Sequence, residues 1–258
     1  MTFNLRKWYL DVVDPSGRSA VVYWSALEWG PISVCWNAAT LHAGGAVVRH
    51  AVGIWATPEP AAGGGAISWR GEAIDCECRC SPTLPAVEAS LLPGSDGVTW
   101  RCEAPAARTV VRLGGEQVIG GGYAERLELG RLPWRLPIDE LRWGRWISDE
   151  GHRSVVWIDW RGSTPLTSVY LDGRAAGPAR VADDEVSAGG CVLALTGRQL
   201  LHERTLGELL GTLVSRLPGI PGGWLALEDR KWLSRGVLAH PEGAPLEGWS
   251  IHERIVFP

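Results

Sequence analysis

Apolar and polar residues alternate with a period of two through most of this chain, a pattern that suits extended strands and no amphipathic helix. Within Ser19–Trp29, Val21, Tyr23, Ser25 and Leu27 fall on one face, and Val22, Trp24 and Ala26 fall on the other. Residues 7–13 form the preceding strand, and Asp14-Pro15-Ser16-Gly17 between them supplies the residues of a hairpin turn. Similar strands are predicted over 32–41, 46–57, 73–81, 98–104 and 109–113, and then over 122–129, 142–148, 153–160, 167–171, 191–196, 225–233 and 249–256. Gly44-Gly45, Pro58-Glu59-Pro60, Gly63-Gly64-Gly65 and Pro93-Gly94 separate the early ones. Short strands at regular spacing with Gly/Pro turns predict an all-β chain of antiparallel barrels or sandwiches. The leucines at 206, 209, 210, 213 and 217 have helical spacing, with Thr205 and Glu208 as a capping box and Pro218-Gly219 as a stop. Glycines at 114–115 and 120–122 suggest a division into residues 1–115 and 116–258.

Composition narrows the function classes. The chain has 258 residues and a net charge of −4, so it has no basic excess to neutralise nucleic-acid phosphates. Apolar residues reach 45%, which argues against disorder. No stretch approaches the roughly 20 apolar residues of a membrane span, and residues 1–7 lack the apolar region of a signal peptide, so a cytoplasmic location is expected. Six cysteines in such a location are expected to be thiols. Cys76, Cys78 and Cys80 alternate with Glu77 and Arg79, which places the three sulfurs on one strand face. They read either as small apolar core residues or as a metal or redox cluster. Dinucleotide, P-loop, GxSxG and HExxH motifs are absent.

Tryptophan is the compositional anomaly: fifteen, against four tyrosines and two phenylalanines. Each carries one N–H that wants a partner when buried. Five of them (134, 143, 146, 157 and 160) fall in residues 122–161 together with many arginines and carboxylates. On the strand over 153–160, Trp157 and Asp159 share a face. An acid there is either paired with an arginine (Arg126, Arg142 or Arg145) or is a proton donor in an aromatic cavity. Glu125 carries the same two readings.

Short motifs spread over most of the chain resemble the carotenoid 1,2-hydratase (hydroxyneurosporene synthase) family. They are Lys7-Trp8-Tyr9-Leu10-Asp11, Gly122-Tyr123-Ala124-Glu125, Leu141-Arg142-Trp143-Gly144-Arg145, Val156-Trp157-Ile158-Asp159, Glu228-Asp229-Arg230-Lys231-Trp232 and Gly248-Trp249-Ser250-Ile251-His252-Glu253. The resemblance implies two lipocalin-like β-domains packed together around an apolar cavity. It also implies protonation of a C=C bond by a carboxylic acid, with no cofactor and no metal, on an apolar polyene, isoprenoid or polyketide-like substrate. Asp159 and Glu125 then become the candidate acids, and Tyr123, Trp157, Trp143, Arg126 and Arg142 the candidate substrate-binding residues. Trp157 stands where the family has tyrosine, Glu125 where it has aspartate, and Arg126 where it has histidine. An arginine beside an acid favours its charged form and cannot relay a proton. The alternative to an enzyme is a lipocalin-like protein that binds an apolar small molecule without changing it.

Overall fold

A computed structural model describes residues 2–54, 56–94, 96–205, 207–208, 220–241 and 243–258. The chain is all-β, as the alternation predicts, with two antiparallel sheets. The first sheet holds β1 (Phe3–Val13), β2 (Ser19–Trp29), β3 (Ile32–Ala43), β4 (Ala46–Gly53), β5 (Ala61–Gly63), β6 (Ala66–Gly71), β7 (Cys76–Pro82), β8 (Val87–Leu92), β9 (Val98–Leu113) and β10 (Glu116–Leu129). Its strand order is β4-β3-β2-β1-β10-β9-β7-β6-β5, with β8 also paired to β9. The second sheet holds β11 (Glu140–Ser148), β12 (Ser154–Arg161), β13 (Leu166–Leu171), β14 (Arg174–Ala175), β15 (Ala179–Val181), β16 (Glu185–Ala188), β17 (Cys191–Thr205), β18 (Glu228–Ala239) and β19 (Leu246–Val256). Its order is β14-β13-β12-β11-β19-β18-β17-β16-β15. Contacts divide the chain into two units. The first is Met1–Leu132 with Ile147–Ser154 and Asp172–Arg174, and the second is Pro133–Trp146, Val155–Leu171 and Ala175–Pro258.

The β1–β2 hairpin forms as its turn residues dictate. Gly17 takes φ 85°, its N–H bonds the Asp14 carbonyl at 3.0 Å, and the Asp14 carboxylate accepts from Ser16 N and Arg18 N at 2.8 and 3.0 Å. Trp8, Leu10, Val12, Val22, Trp24, Cys76, Cys78 and Cys80 all join one buried cluster, which defines the core face of the first sheet. The three alternating cysteines are therefore core residues. None of the six cysteines is in a disulfide, and no metal-binding cluster exists among the described residues. Burial, helped by Asp75 and Glu77, pushes the Cys76 thiol up to about 12, so it stays protonated and inert.

Three differences from the sequence reading have clear causes. Gly114-Gly115, read as a division point, is the turn of the β9–β10 hairpin, and both glycines take positive φ there. The glycines over 120–122 lie inside β10, paired with β1 and β9. Close packing explains one of them: a Cβ at Gly120 would meet the Val13 carbonyl. The segments 98–104 and 109–113 are one strand, β9. Pro105 falls where the partner changes from β8 to β7 and where the β10 register shifts, so its missing N–H breaks no ladder. The predicted helix lies largely outside the described residues. Its capping box is present, with Thr205 N donating to Glu208 Oε2 at 2.7 Å and Glu208 N donating to Thr205 Oγ1 at 3.2 Å.

Candidate functional site

The candidate residues from the sequence are divided between the two units. Tyr123, Glu125 and Arg126 belong to the first unit, and Arg142, Trp143, Trp157 and Asp159 to the second.

In the second unit, Asp159 is 5% exposed and tied down. Its Oδ2 accepts from Arg161 Nε and its Oδ1 from Thr167 Oγ1, both at 2.7 Å. Arg161 sits two residues on and therefore on the same strand face, a partner that the alternation itself contained. Arg161 also donates to Glu140, which accepts from Arg142 and from Arg254. Those arginines hold the Glu140 carboxyl below its ordinary value against the cost of burial. Arg142 further pairs with Asp183. The open recess beside Asp159, about 820 Å³, is lined by Arg142, Arg161, Thr167 and the backbone stretch around Arg180–Asp183. No tryptophan is among the residues that line this recess. Trp157 is instead packed into the second unit's core with Trp146, Val155 and Leu193. Trp143 lies on the opposite face of β11 from Arg142, with Lys231 Nζ 5.0 Å from its ring centroid.

Trp157 owes its place to Gly144. A Cβ there would collide with the indole and come within 2.7 Å of His252 Cβ. Gly144→Ala is expected to cost about 1–3 kcal/mol by overpacking; a urea midpoint equal to wild type would show that the indole can move aside. His252 bonds Ser234 Oγ through Nε2 at 2.9 Å, stacks on Trp232 at 5.4 Å and lies 6.4 Å from Trp157. Burial, together with Arg198 and Lys231, lowers its pKa to about 3. Unfolding restores the ordinary value of 6.5, so the unfolded chain binds the extra proton between pH 6.5 and 3, and the folded state loses stability as pH falls through that window. His252→Gln is expected to flatten the fall in urea midpoint between pH 6.5 and 4; an unchanged slope would assign the acid sensitivity to the carboxylates.

In the first unit, β10 separates Glu125 from Arg126. Glu125 is paired across β1 with Tyr9, and Arg126 with Trp8, so the two project from opposite faces. The Arg126 guanidinium lies 5.9 Å from the Trp8 ring on the core face.

Glu125 stands on the other face, in an aromatic setting. Its Oε2 accepts from Tyr123 Oη at 2.7 Å and from Trp100 Nε1 at 2.5 Å, and both donors are neutral. Tyr123 and Trp100 are almost fully buried. Burial raises the Tyr123 hydroxyl well above its ordinary value, reinforced by Cys102 and Glu125, so it stays a phenol and a donor. The rings continue across the sheet, with Tyr123 to Tyr9 at 6.1 Å, Tyr9 to Tyr23 at 5.3 Å and Tyr23 to Trp36 at 6.0 Å. Three of the four tyrosines thus occupy one face, which is buried at Tyr9 and Tyr123 and partly open at Lys7, Tyr23 and Trp36. Strand parity places Tyr9 and Tyr23 there; the attention that tryptophan draws by number hides it.

No protein-family model matches the chain, and no curated protein matches it in sequence. Solved structures do. Over 98% of its length the chain matches 88% of kievitone hydratase from Nectria haematococca, with a TM-score of 0.56 and 10% identity. The chain shares the fold of that protein. A protein described as AttH from Nitrosomonas europaea matches with a TM-score of 0.56 at 12% identity, covering 98% of this chain and 92% of that one. CghA, solved with Sch210972, matches with a TM-score of 0.52 at 12% identity, covering 99% and 89%. At 10–12% identity the likeness is one of fold, and it agrees with the two lipocalin-like β-domains that the sequence resemblance implies.

Proposed function

We propose that the chain is a cofactor-free acid/base enzyme, a hydratase, isomerase or cyclase, acting on an apolar unsaturated small molecule with Glu125 as the acid. The observation that carries this reading is the Glu125 carboxylate held by a phenol and an indole on a face of aromatic rings. Protonated Glu125 gives its proton to one carbon of a C=C bond. The π pair becomes the new C–H bond, and the adjacent carbon becomes a cation. The faces of Tyr9 and Tyr23 stabilise that cation by about 0.5–2 kcal/mol per ring. The two hydrogen bonds stabilise the carboxylate left behind. Water adds to the cation and returns a proton to Glu125, completing hydration; loss of a neighbouring C–H proton to the Glu125 carboxylate instead gives isomerisation, and attack by a second C=C forms a ring and a new cation, which loses a C–H proton to the same carboxylate to complete cyclisation. Asp159 ties β12 to β13 through Thr167 and to its own strand through Arg161.

The second reading, a binding protein without chemistry, draws on the ion-paired state of the other candidate acid, Asp159. Solvent extraction of compounds retained by purified wild type, Glu125→Gln and Asp159→Asn separates the two. An apolar compound retained by all three and altered by wild type and Asp159→Asn supports the enzyme. An identical compound from all three supports the carrier, and nothing apolar from any form overturns both.

A further inference from the structure

The recess beside Asp159 is lined by residues of the second unit alone, so it is independent of the Glu125 reading. Asp159 and Arg161 stand two apart on β12, and Thr167 pairs across from Asp159 on β13, so all three reach the recess from one sheet face. Arg142 enters from β11, and Asp183 from the turn between β15 and β16. Charge is unevenly shared there. Arg142, Arg161 and Arg254 all donate to Glu140, at 2.6 to 3.1 Å, and Arg161 also donates to Asp159. Glu140 and Asp159 are 15% and 7% exposed, so three guanidiniums stand over two interior carboxylates.

Asp183 supplies the missing counter-charge by pairing with Arg142. The two partners differ in exposure: the Arg142 side chain is 14% exposed and that of Asp183 is 61% exposed. The guanidinium is fixed in the wall by its Nε bond to Glu140, while its second carboxylate stands in water, where an ion pair is worth little. An arginine fork anchored along one edge presents its other edge to a carboxylate. Val181 and Ala182 add an apolar stretch to the same recess, and its volume, about 820 Å³, suits a small molecule. The Asp159 charge in the same wall disfavours a doubly charged group, which selects a carboxylate over a phosphate dianion.

We propose that this recess binds a small organic acid with its carboxylate on Arg142, and that the ligand's carboxylate takes the place of the exposed Asp183. The body of the acid lies along Val181 and Ala182. Asp183 lowers the affinity of the site by the fraction of time it holds Arg142 itself.

The test is isothermal titration of sodium benzoate, with benzamide as the uncharged control, into wild type, Asp183→Asn, Asp184→Asn and Arg142→Gln. Asp183→Asn is expected to tighten benzoate binding about two- to fivefold, the range that an exposed ion pair withholds, with no gain for benzamide. Asp184 is exposed and does not line the recess, so Asp184→Asn changes the net charge equally and is expected to keep the wild-type affinity. Arg142→Gln is expected to weaken benzoate binding about tenfold or more. Asp183→Asn alters an exposed side chain, so it keeps the proposal testable if Arg142→Gln does not fold. Unchanged or weaker benzoate binding in Asp183→Asn overturns the proposal, as does an absence of binding to every form. An equal gain in Asp184→Asn overturns it too, because net charge alone would then explain the effect. An equal gain for benzamide, or wild-type affinity in folded Arg142→Gln, would show that the recess does not read the carboxylate through Arg142, and overturns it as well.

Discussion

Glu125→Gln is expected to lower turnover of the retained compound by about 10²–10⁴-fold, the usual contribution of a positioned acid or base, while leaving retention unchanged. The amide oxygen can still accept from Tyr123 and Trp100, which now hold the carboxylate at 2.7 and 2.5 Å, so the local packing survives and the transferable proton does not. Tyr123→Phe should act in the same direction with a smaller effect, since one of the two bonds to the conjugate base is lost. Single-turnover measurement with the extracted compound, followed by mass spectrometry, gives the comparison. Asp159→Asn serves as the contrast. It removes a paired charge from Arg161 and should lower the urea midpoint without abolishing chemistry. Wild-type turnover in Glu125→Gln would move the acid elsewhere.

Lys231→Ala is expected to be strongly destabilising to the second unit. Lys231 is 1% exposed and its partner Glu253 10%. The two form an ion pair, with the ammonium 5.0 Å from the Trp143 ring centroid. Removing one member of a buried pair costs about 3–5 kcal/mol, because the other charge is left without compensation in a poorly solvating site. The double change Lys231→Met with Glu253→Leu should recover most of that loss, since apolar residues of similar volume commonly replace buried ion pairs at little cost. Urea denaturation at pH 7 measures both. A loss below about 1 kcal/mol for Lys231→Ala would mean that Glu253 reaches water when its partner is gone.

Strand by strand, the first sheet was largely legible. Tyr23 with Val21, and Trp24 with Val22, sit on the faces that alternation assigns, because a strand buried on one side cannot slip by one residue without exposing its core set. The cysteines at 76, 78 and 80 follow the same rule. Short strands such as β5, β14 and β15 were not legible. Two or three residues carry no period, and their neighbours in the sheet alone make them strands.

The candidate site divides along the same line. Glu125 and Tyr123 were found, and the alternation that names them also places them two residues apart on one face. Asp159 and Trp157 were found on a shared face too; what alternation does not carry is that Gly144 leaves room for the indole in the core and that Arg161 pairs with the acid. Sequence proximity suggested that Arg126 bears on Glu125, whereas the pleat sends adjacent side chains to opposite sides.

The sequence by itself determined the longer strands, their faces and the first hairpin turn, because these depend on residues within reach of one another along the chain. It also supplied fifteen indole N–H groups, each of which wants an acceptor where it is buried. Only the tertiary structure decided where those acceptors lie. Trp8, Trp24 and Trp69 find theirs within Thr57-Pro58-Glu59, and Trp100 finds its acceptor in Glu125. The partners are 11 to 51 residues away. No local pattern encodes contacts at such separations. They exist because the sheet brings distant strands to the same face, where a buried donor left unpaired would cost about 1–3 kcal/mol.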